Sequence, residues 1–273
     1  MWPMDANRKQ ILLTNDDGID SPGLWAAAQA LSSLGYVTVV APSIQYSGAG
    51  RSHPLQTDGQ IKRQVLKIGD QEWPAYAVNG SPAQSVLYAV YDICQQKPDL
   101  VVSGINYGEN IGLDITLSGT IGAAIEGAVY GIPSMATSLQ LNGEGYTSNS
   151  HQVDFSTAAW FTQYFARLIL EKGLPEDTDM LKVDVPAQAT PQTPWKVVRL
   201  IKECYFKPYL QKSDNFEVAR RIKYFSIDTE RIQKSPGTDA YAVAIEKLVA
   251  VTPLSLDMSA RTPADVLMNY FKN

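Results

Sequence analysis

A strand pattern, a helix pattern and a second strand pattern fit within residues 10–42, and this spacing is the tightest constraint in the chain. "QILLTN" (10–15) is a short apolar run. Ser21 and Pro22 then supply an N-cap and a first-turn proline for the helical segment "GLWAAAQALSSL", which Gly35 is expected to stop. "YVTVVAP" (36–42) is rich in β-branched residues and reads as a strand. Two strands joined through a helix over so short a distance form a parallel pair, with the helix packed on one face.

The same rhythm returns further on. Between Pro54 and Val78, "TDGQ" and "IGDQE" look like turns between short alternating stretches, a hairpin excursion. Ser81-Pro82 opens the helix "AQSVLYAVYDIC", followed by the strand "DLVVSGIN" (99–106). "TIGAAIEGAVYG" (120–131) predicts a helix, "PSMATSL" (133–139) a strand, and 140–152 a polar surface loop. Residues 153–172 read as a longer amphipathic helix, "MLKVDVP" (180–186) as a strand and "PWKVVRLI" (194–201) as another. Residues 202–236 mix aromatic and charged side chains without a clear period and read as an arm packing on a neighbouring subunit. "TDAYAVAIEKLVAVTPL" (238–254) is apolar, and its pattern leaves helix and strand both open. The expectation is a single α/β domain over 1–273, with a core at about 8–201. Its architecture is a three-layer, Rossmann-like, doubly wound and mostly parallel sheet, with a β-hairpin excursion, an oligomerisation arm (202–236) and a C-terminal segment (237–273).

Composition removes whole classes of function. A formal net charge of −5 argues against a nucleic-acid or membrane surface, which requires a basic excess. The N-terminus "MWPMDANRKQ" has no apolar core of a signal peptide, and no window resembles a membrane span. Cys94 and Cys204 lack metal-ligand spacing and read as small hydrophobes in a reducing compartment. A cytoplasmic protein is expected.

In open α/β sheets ligands bind beyond the carboxyl ends of the strands. Asn15, Asp16 and Asp17 end the first strand, Ser47 lies in the loop after the second, and Asn106 ends the strand beginning at Asp99. Adjacent carboxylates repel, so pinning Asp16 and Asp17 together calls for a compensating charge. Carboxylates, an amide carbonyl and a hydroxyl are hard donors suited to Mg²⁺ or Mn²⁺. An isolated "NDDG" is also an ordinary turn sequence, and only the convergence at one sheet edge favours the cation. In "LSGTIGAAIEG", Ser118 or Thr120 can cap the next helix while Gly119 keeps the approach open, which is the pattern of an anion site. A plain N-cap beside a tightly packed helix is the alternative.

Five stretches then stand in a familiar order: "ILLTNDDGIDSPGL", "VVAPSIQYSGAG", "VNGSP", "PDLVVSGINYGENIGLDITLSGTIGAAIEG" and "GIPSMA". Together they resemble the SurE family of stationary-phase survival proteins, metal-dependent nucleotidases acting on nucleoside monophosphates. The resemblance runs from about residue 10 to 139 and resumes at "LKVDVP" and "GTDAYAV". It implies one divalent ion per subunit, held by Asp16, Asp17, Ser47 and Asn106, and phosphate contacts from Asn110, Ser118, Gly119 and Thr120. Asn15, beside the pair, joins the expected phosphate contacts. Asp16 and Asp17 are the expected catalytic residues, with Asp16 orienting or deprotonating the attacking water. The resemblance also implies a homodimer or homotetramer with exchanged C-terminal arms.

Departures from the family pattern include "RSHPLQ" after the serine-glycine element and Leu117 where relatives carry tyrosine. The two histidines, His53 and His151, are not needed by the motif, and no Cys or His is placed as a nucleophile. A haloacid-dehalogenase-type phosphatase fails on chemistry, because Asn15 would stand at its nucleophile. A nucleotide-binding module without turnover leaves the paired acids without a role and lacks G-x-G-x-x-G after the first strand.

Overall fold

The computed structural model describes residues 8–68, 71–141, 153–210, 214–217, 222–226 and 229–272. The first unit is β1 (Gln10–Thr14), α1 (Pro22–Leu31) and β2 (Tyr36–Pro42), with β1 and β2 paired in parallel. Pro22 opens the helix as expected, but Gly35 does not stop it. The helix ends at Leu31, with Ser32 as C-cap. Gly35 serves a different need: a Cβ there would stand 2.3 Å from the Lys9 carbonyl oxygen, so glycine lets the chain enter β2 close beside β1.

The hairpin is β3 (Ile61–Ile68) and β4 (Gln71–Val78), antiparallel to each other, with β4 joined in parallel to β2. The excursion therefore extends the main sheet. A capping box starts α2 (Pro82–Tyr88): Gln84 N–H donates to Ser81 Oγ and Ser81 N–H to Gln84 Oε1. A wider turn, Ala89–Ile93, continues it. There follow β5 (Leu100–Tyr107), α3 (Gly119–Val129), β6 (Ser134–Leu139), α4 (Ser156–Lys172) and β7 (Met180–Val185). Most of the expected polar loop 140–152 lies outside the described residues, as does His151.

After β7 the elements shorten: β8 (Trp195–Val197), β9 (Phe206–Leu210), β10 (Ile222–Ser226), α5 (Thr229–Gln233) and α6 (Asp239–Tyr241). The ambiguous stretch 238–254 contains both types. A helical turn through Glu246 ends where Lys247 takes a left-handed φ of 57°, and β11 (Val249–Leu254) follows. Sequence reading missed the amphipathic helix α7 (Ala264–Lys272).

The main sheet runs β3-β4-β2-β1-β5-β6-β7-β11-β8. From β4 through β7 it is parallel; β3 and β11 run antiparallel to their inner neighbours. One apolar cluster packs α1 and α4 on one face (Leu24, Leu31, Phe161, Phe165), and another packs α2 and α3 on the other (Val86, Ala123, Val40). Burying each such Leu or Phe contributes roughly 1.5–3 kcal/mol, which is why the apolar stripes fix the three layers. Among the described residues no helix is long and apolar enough to cross a membrane. From β1 the chain winds outward to β2, and from β4 it crosses back to β5 on the other side of β1. The crevice between the ends of β1 and β5 is therefore the topological switch point.

Candidate active site

Asp16 and Asp17 follow directly on β1 and are 5% and 2% exposed. A cluster of bonds holds them. Asp16 Oδ1 accepts from Thr120 Oγ1 at 2.6 Å, and the Asp16 carbonyl accepts from Tyr46 N–H at 2.7 Å. The backbone N–H groups of Gly119 and Thr120 also act on the Asp16 carboxylate. Asp17 accepts from Gln45 Nε2 at 3.1 Å and from Tyr107 N–H at 3.2 Å. Loops after β1, β2 and β5 and the start of α3 thus meet at one pair of carboxylates.

Electrostatics make that pair anomalous. Burial raises Asp16 above the ordinary carboxylate range, against the Thr120 hydrogen bonds. Burial first, and the Asp16 charge second, push Asp17 up to about 7. Two buried acids that repel need a cation or a proton. The donors nearby are hard oxygens, which fits a divalent ion of the Mg²⁺ or Mn²⁺ kind. Among the described residues no three His, Cys, Asp or Glu side chains gather as a metal cluster, so further protein ligands among them would be amide, hydroxyl or main-chain oxygens.

Asn106 fits that role. Its Nδ2 donates to the carbonyls of Gly108 at 2.8 Å and Tyr107 at 3.3 Å, so Oδ1 is the atom of its amide suited to a cation. The register of β5 against β6 shifts between Ser103 and Asn106, and Gly104 makes this possible. A Cβ there would lie 2.4 Å from Thr137 O, and the φ of 138° is one that L residues rarely adopt. Ser47 is exposed on the loop that Tyr46 ties to Asp16.

The expected phosphate contacts divide into groups. Ser118 caps α3, its Oγ accepting from Ile121 N–H at 3.2 Å. Gly119 lies against Asp16: a Cβ would stand 2.7 Å from Asp16 Cβ and 2.9 Å from Oδ2. Thr120 directs its hydroxyl to Asp16, so this helix start is joined to the carboxylate pair itself. Asn15 donates from Nδ2 to Gly18 O at 3.0 Å and closes the turn, while its buried Oδ1 has no hydrogen-bond partner among the described residues. Asn110 is set apart by different partners. Its Nδ2 donates to Ser138 Oγ at 2.7 Å, and its N–H donates to Asp184 Oδ1 at 2.8 Å.

Those partners belong to a cluster that sequence reading missed. Lys182, Asp184 and Asp239 are all 0% exposed. Lys182 Nζ donates to Asp184 Oδ2, to Asp239 Oδ2 at 3.1 Å and to Asn110 O at 2.8 Å. The only signal was a lysine and an aspartate two apart in the apolar run "MLKVDVP", which puts both on one face of β7. Glu109, buried beside them, is raised above its ordinary range by burial and then by the charge of Asp184. His53 Nε2 is 3.3 Å from Glu126 Oε1, and Arg51 Nε is 2.6 Å from Glu126 Oε2.

Comparison with known proteins places the chain in a family. Residues 11–207 match the family model described as Survival protein SurE. The 5'-nucleotidase SurE of Thermococcus kodakarensis is 42% identical over 252 residues, covering 92% of this chain and 94% of its own. That of Archaeoglobus fulgidus is 39% identical over 264 residues, covering 96% and 97%. The crystal structure of the SurE protein from Aquifex aeolicus superposes with a TM-score of 0.74 at 34% identity, covering 97% of this chain and all of that one. The fold, the strand-end acids and these matches together establish that the chain belongs to the SurE family.

Proposed function

We propose that the protein is a divalent-metal-dependent 5'-nucleotidase that hydrolyses nucleoside monophosphates to nucleoside and phosphate. The observation that carries this reading is the pair Asp16 and Asp17, buried at the switch point and backed by the start of α3. The names of the relatives, 5'-nucleotidase, support the substrate class.

Asp16, Asp17, Asn106 and Ser47 would hold one Mg²⁺ or Mn²⁺. Such an ion supplies Lewis-acid polarisation of the phosphoryl oxygens and lowers the pKa of water. The chain's own part is positional. Thr120 fixes Asp16 through Oδ1, so that the carboxylate is oriented to take a proton from the attacking water. Ser118, Gly119 and Thr120 at the helix start, with Asn110, would stabilise charge on the equatorial phosphoryl oxygens, while the expected contact Asn15, fully buried with Nδ2 on Gly18 O, holds the turn that carries the acids. Gly119 keeps space that a side chain would take from Asp16.

The arm supports the homodimer or homotetramer. Its base packs on this chain, with Tyr205 and Ile232 buried, but Tyr209, Phe216 and Ile222 are 56%, 88% and 55% exposed. A two-stranded ribbon of β9 and β10 is marginal in water and gains from a partner surface. A cytoplasmic setting accompanies this reading.

The test is phosphate release from a panel of nucleoside 5'-monophosphates, each with Mg²⁺, with Mn²⁺ and with chelator. Release that depends on the ion is expected. A folded protein that liberates no phosphate with either ion would overturn the proposal.

A further inference from the structure

Asn106 lies near the end of β5 and Asn110 in the loop that follows, and that loop's main chain is gripped by charges from outside it. The Lys182 ammonium uses its three N–H groups on Asp184, Asp239 and the Asn110 carbonyl. Asp184 Oδ1 accepts the Asn110 N–H at 2.8 Å. Asp239 Oδ2 accepts the Gly112 N–H at 2.9 Å, while its Oδ1 accepts the N–H groups of Ile201 and Ala240, both at 2.9 Å. Every carboxylate oxygen in the cluster is satisfied, and both main-chain polar groups of Asn110 end on it. The three charged residues come from β7 and α6, not from the strand-end loop that carries Asp16 and Asp17.

A fully buried ion triad is an expensive way to add stability, since apolar side chains of similar volume serve equally well or better. What it supplies here is geometry. From this we infer that Lys182, with Asp184, is a positioning residue: it fixes the peptide of Asn110 so that the Asn110 side chain, steadied by Ser138 Oγ, is presented to the phosphoryl group. The inference rests on the hydrolase reading, in which Asn110 contacts phosphate. It extends that reading to residues two strands away in the sheet. Lys182 and Asp184 touch no reacting atom and act only through Asn110.

The test removes the grip without changing buried charge. In K182M/D184N one cation and one anion leave together, and Asp239 keeps its backbone donors. The amide oxygen introduced at position 184 can still accept from Asn110 N–H. Four proteins are compared: wild type, N110A, K182M/D184N and the triple variant. The readouts are Mn²⁺ affinity, inorganic phosphate affinity in the presence of Mn²⁺, and KM and kcat on a nucleoside monophosphate. Mn²⁺ affinity should be unchanged in all four. Phosphate affinity should fall about tenfold in K182M/D184N, the size expected for one hydrogen bond to a charged group. The triple variant should bind phosphate no more weakly than N110A, because the cluster acts through Asn110 alone. A merely structural role would give additive losses, and these would overturn the inference, as would wild-type phosphate affinity in K182M/D184N. Wild-type protein that binds phosphate yet cleaves no monoester would reject the hydrolase reading and leave the positioning role standing. Absence of phosphate binding in the wild type would reject both.

Discussion

Two buried pairs of carboxylates stand at the same sheet, with β5 and β6 between them. Asp184 and Asp239 are fully buried and have their counter-ion within the chain, in Lys182. Asp16 and Asp17 are almost as buried, and they accept from the Thr120 hydroxyl, the Gln45 amide and backbone N–H groups. The first arrangement is electrically closed and structural. The second, whose two acids raise each other's cost of ionisation, is the pair proposed to take a cation or proton from solution. Burial alone would have marked both as equally interesting; the location of the positive charge distinguishes them.

The sharpest attempt to break this contrast is to open the closed pair. Lys182→Met alone leaves two buried carboxylates without their cation and should cost about 3–5 kcal/mol in urea unfolding. A loss below about 1 kcal/mol would show that water or protons already serve that pair, and the two sites would then be alike. The reverse experiment lightens the open pair. Asp17→Asn should weaken Mn²⁺ binding about a hundredfold by calorimetric titration, as expected for loss of a ligand. In chelator the same variant should melt at or above the wild-type temperature, because a buried repulsion has been removed. Wild-type Mn²⁺ affinity in Asp17→Asn would end the comparison.

The third test is the pH response, which is read as a slope. Asp17 titrates at about 7 in the fold and near 3.8 in the unfolded chain, so between these values the native state binds more protons. In chelator, stability should therefore fall as pH rises from about 4 to 7, by at most about 1.4 kcal/mol per unit for one proton. Mn²⁺ affinity should rise over the same interval, as ion and proton compete for the pair. Asp17→Asn should flatten the stability slope in equilibrium unfolding. An unchanged slope would assign the titration to another group.

Much of this was legible in the sequence where chemistry is local. "YVTVVAP" became β2 over Tyr36–Pro42 because β-branched runs suit a half-buried strand. "SPAQ" carried both halves of a capping box. Asp16, Asp17 and Asn106 could be gathered because each sits at a strand end, and parallel topology brings such ends together. The Lys182 cluster was hidden because its partners lie 72 and 57 residues away, and no local spacing announces a pairing of that range. Gly35 misled for a related reason: its role is a close approach to Lys9, not a helix stop. The β9–β10 ribbon and α7 leave Tyr209, Phe216, Tyr270 and Phe271 exposed, so they never show the apolar alternation that burial imposes on the core strands.

The bond from Thr120 to Asp16 has one more consequence. The carboxylate that would grip an ion also serves as the terminal anchor of α3, so one set of oxygens answers to two equilibria. An ion bound by Asp16 would loosen its hold on the first turn of the helix, and by reciprocity stiffening that turn would change the affinity for that ion. If the proposed ion binds, protection of the amide protons in the opening turn of α3 should change with its occupancy, which hydrogen exchange reads without a substrate or a product.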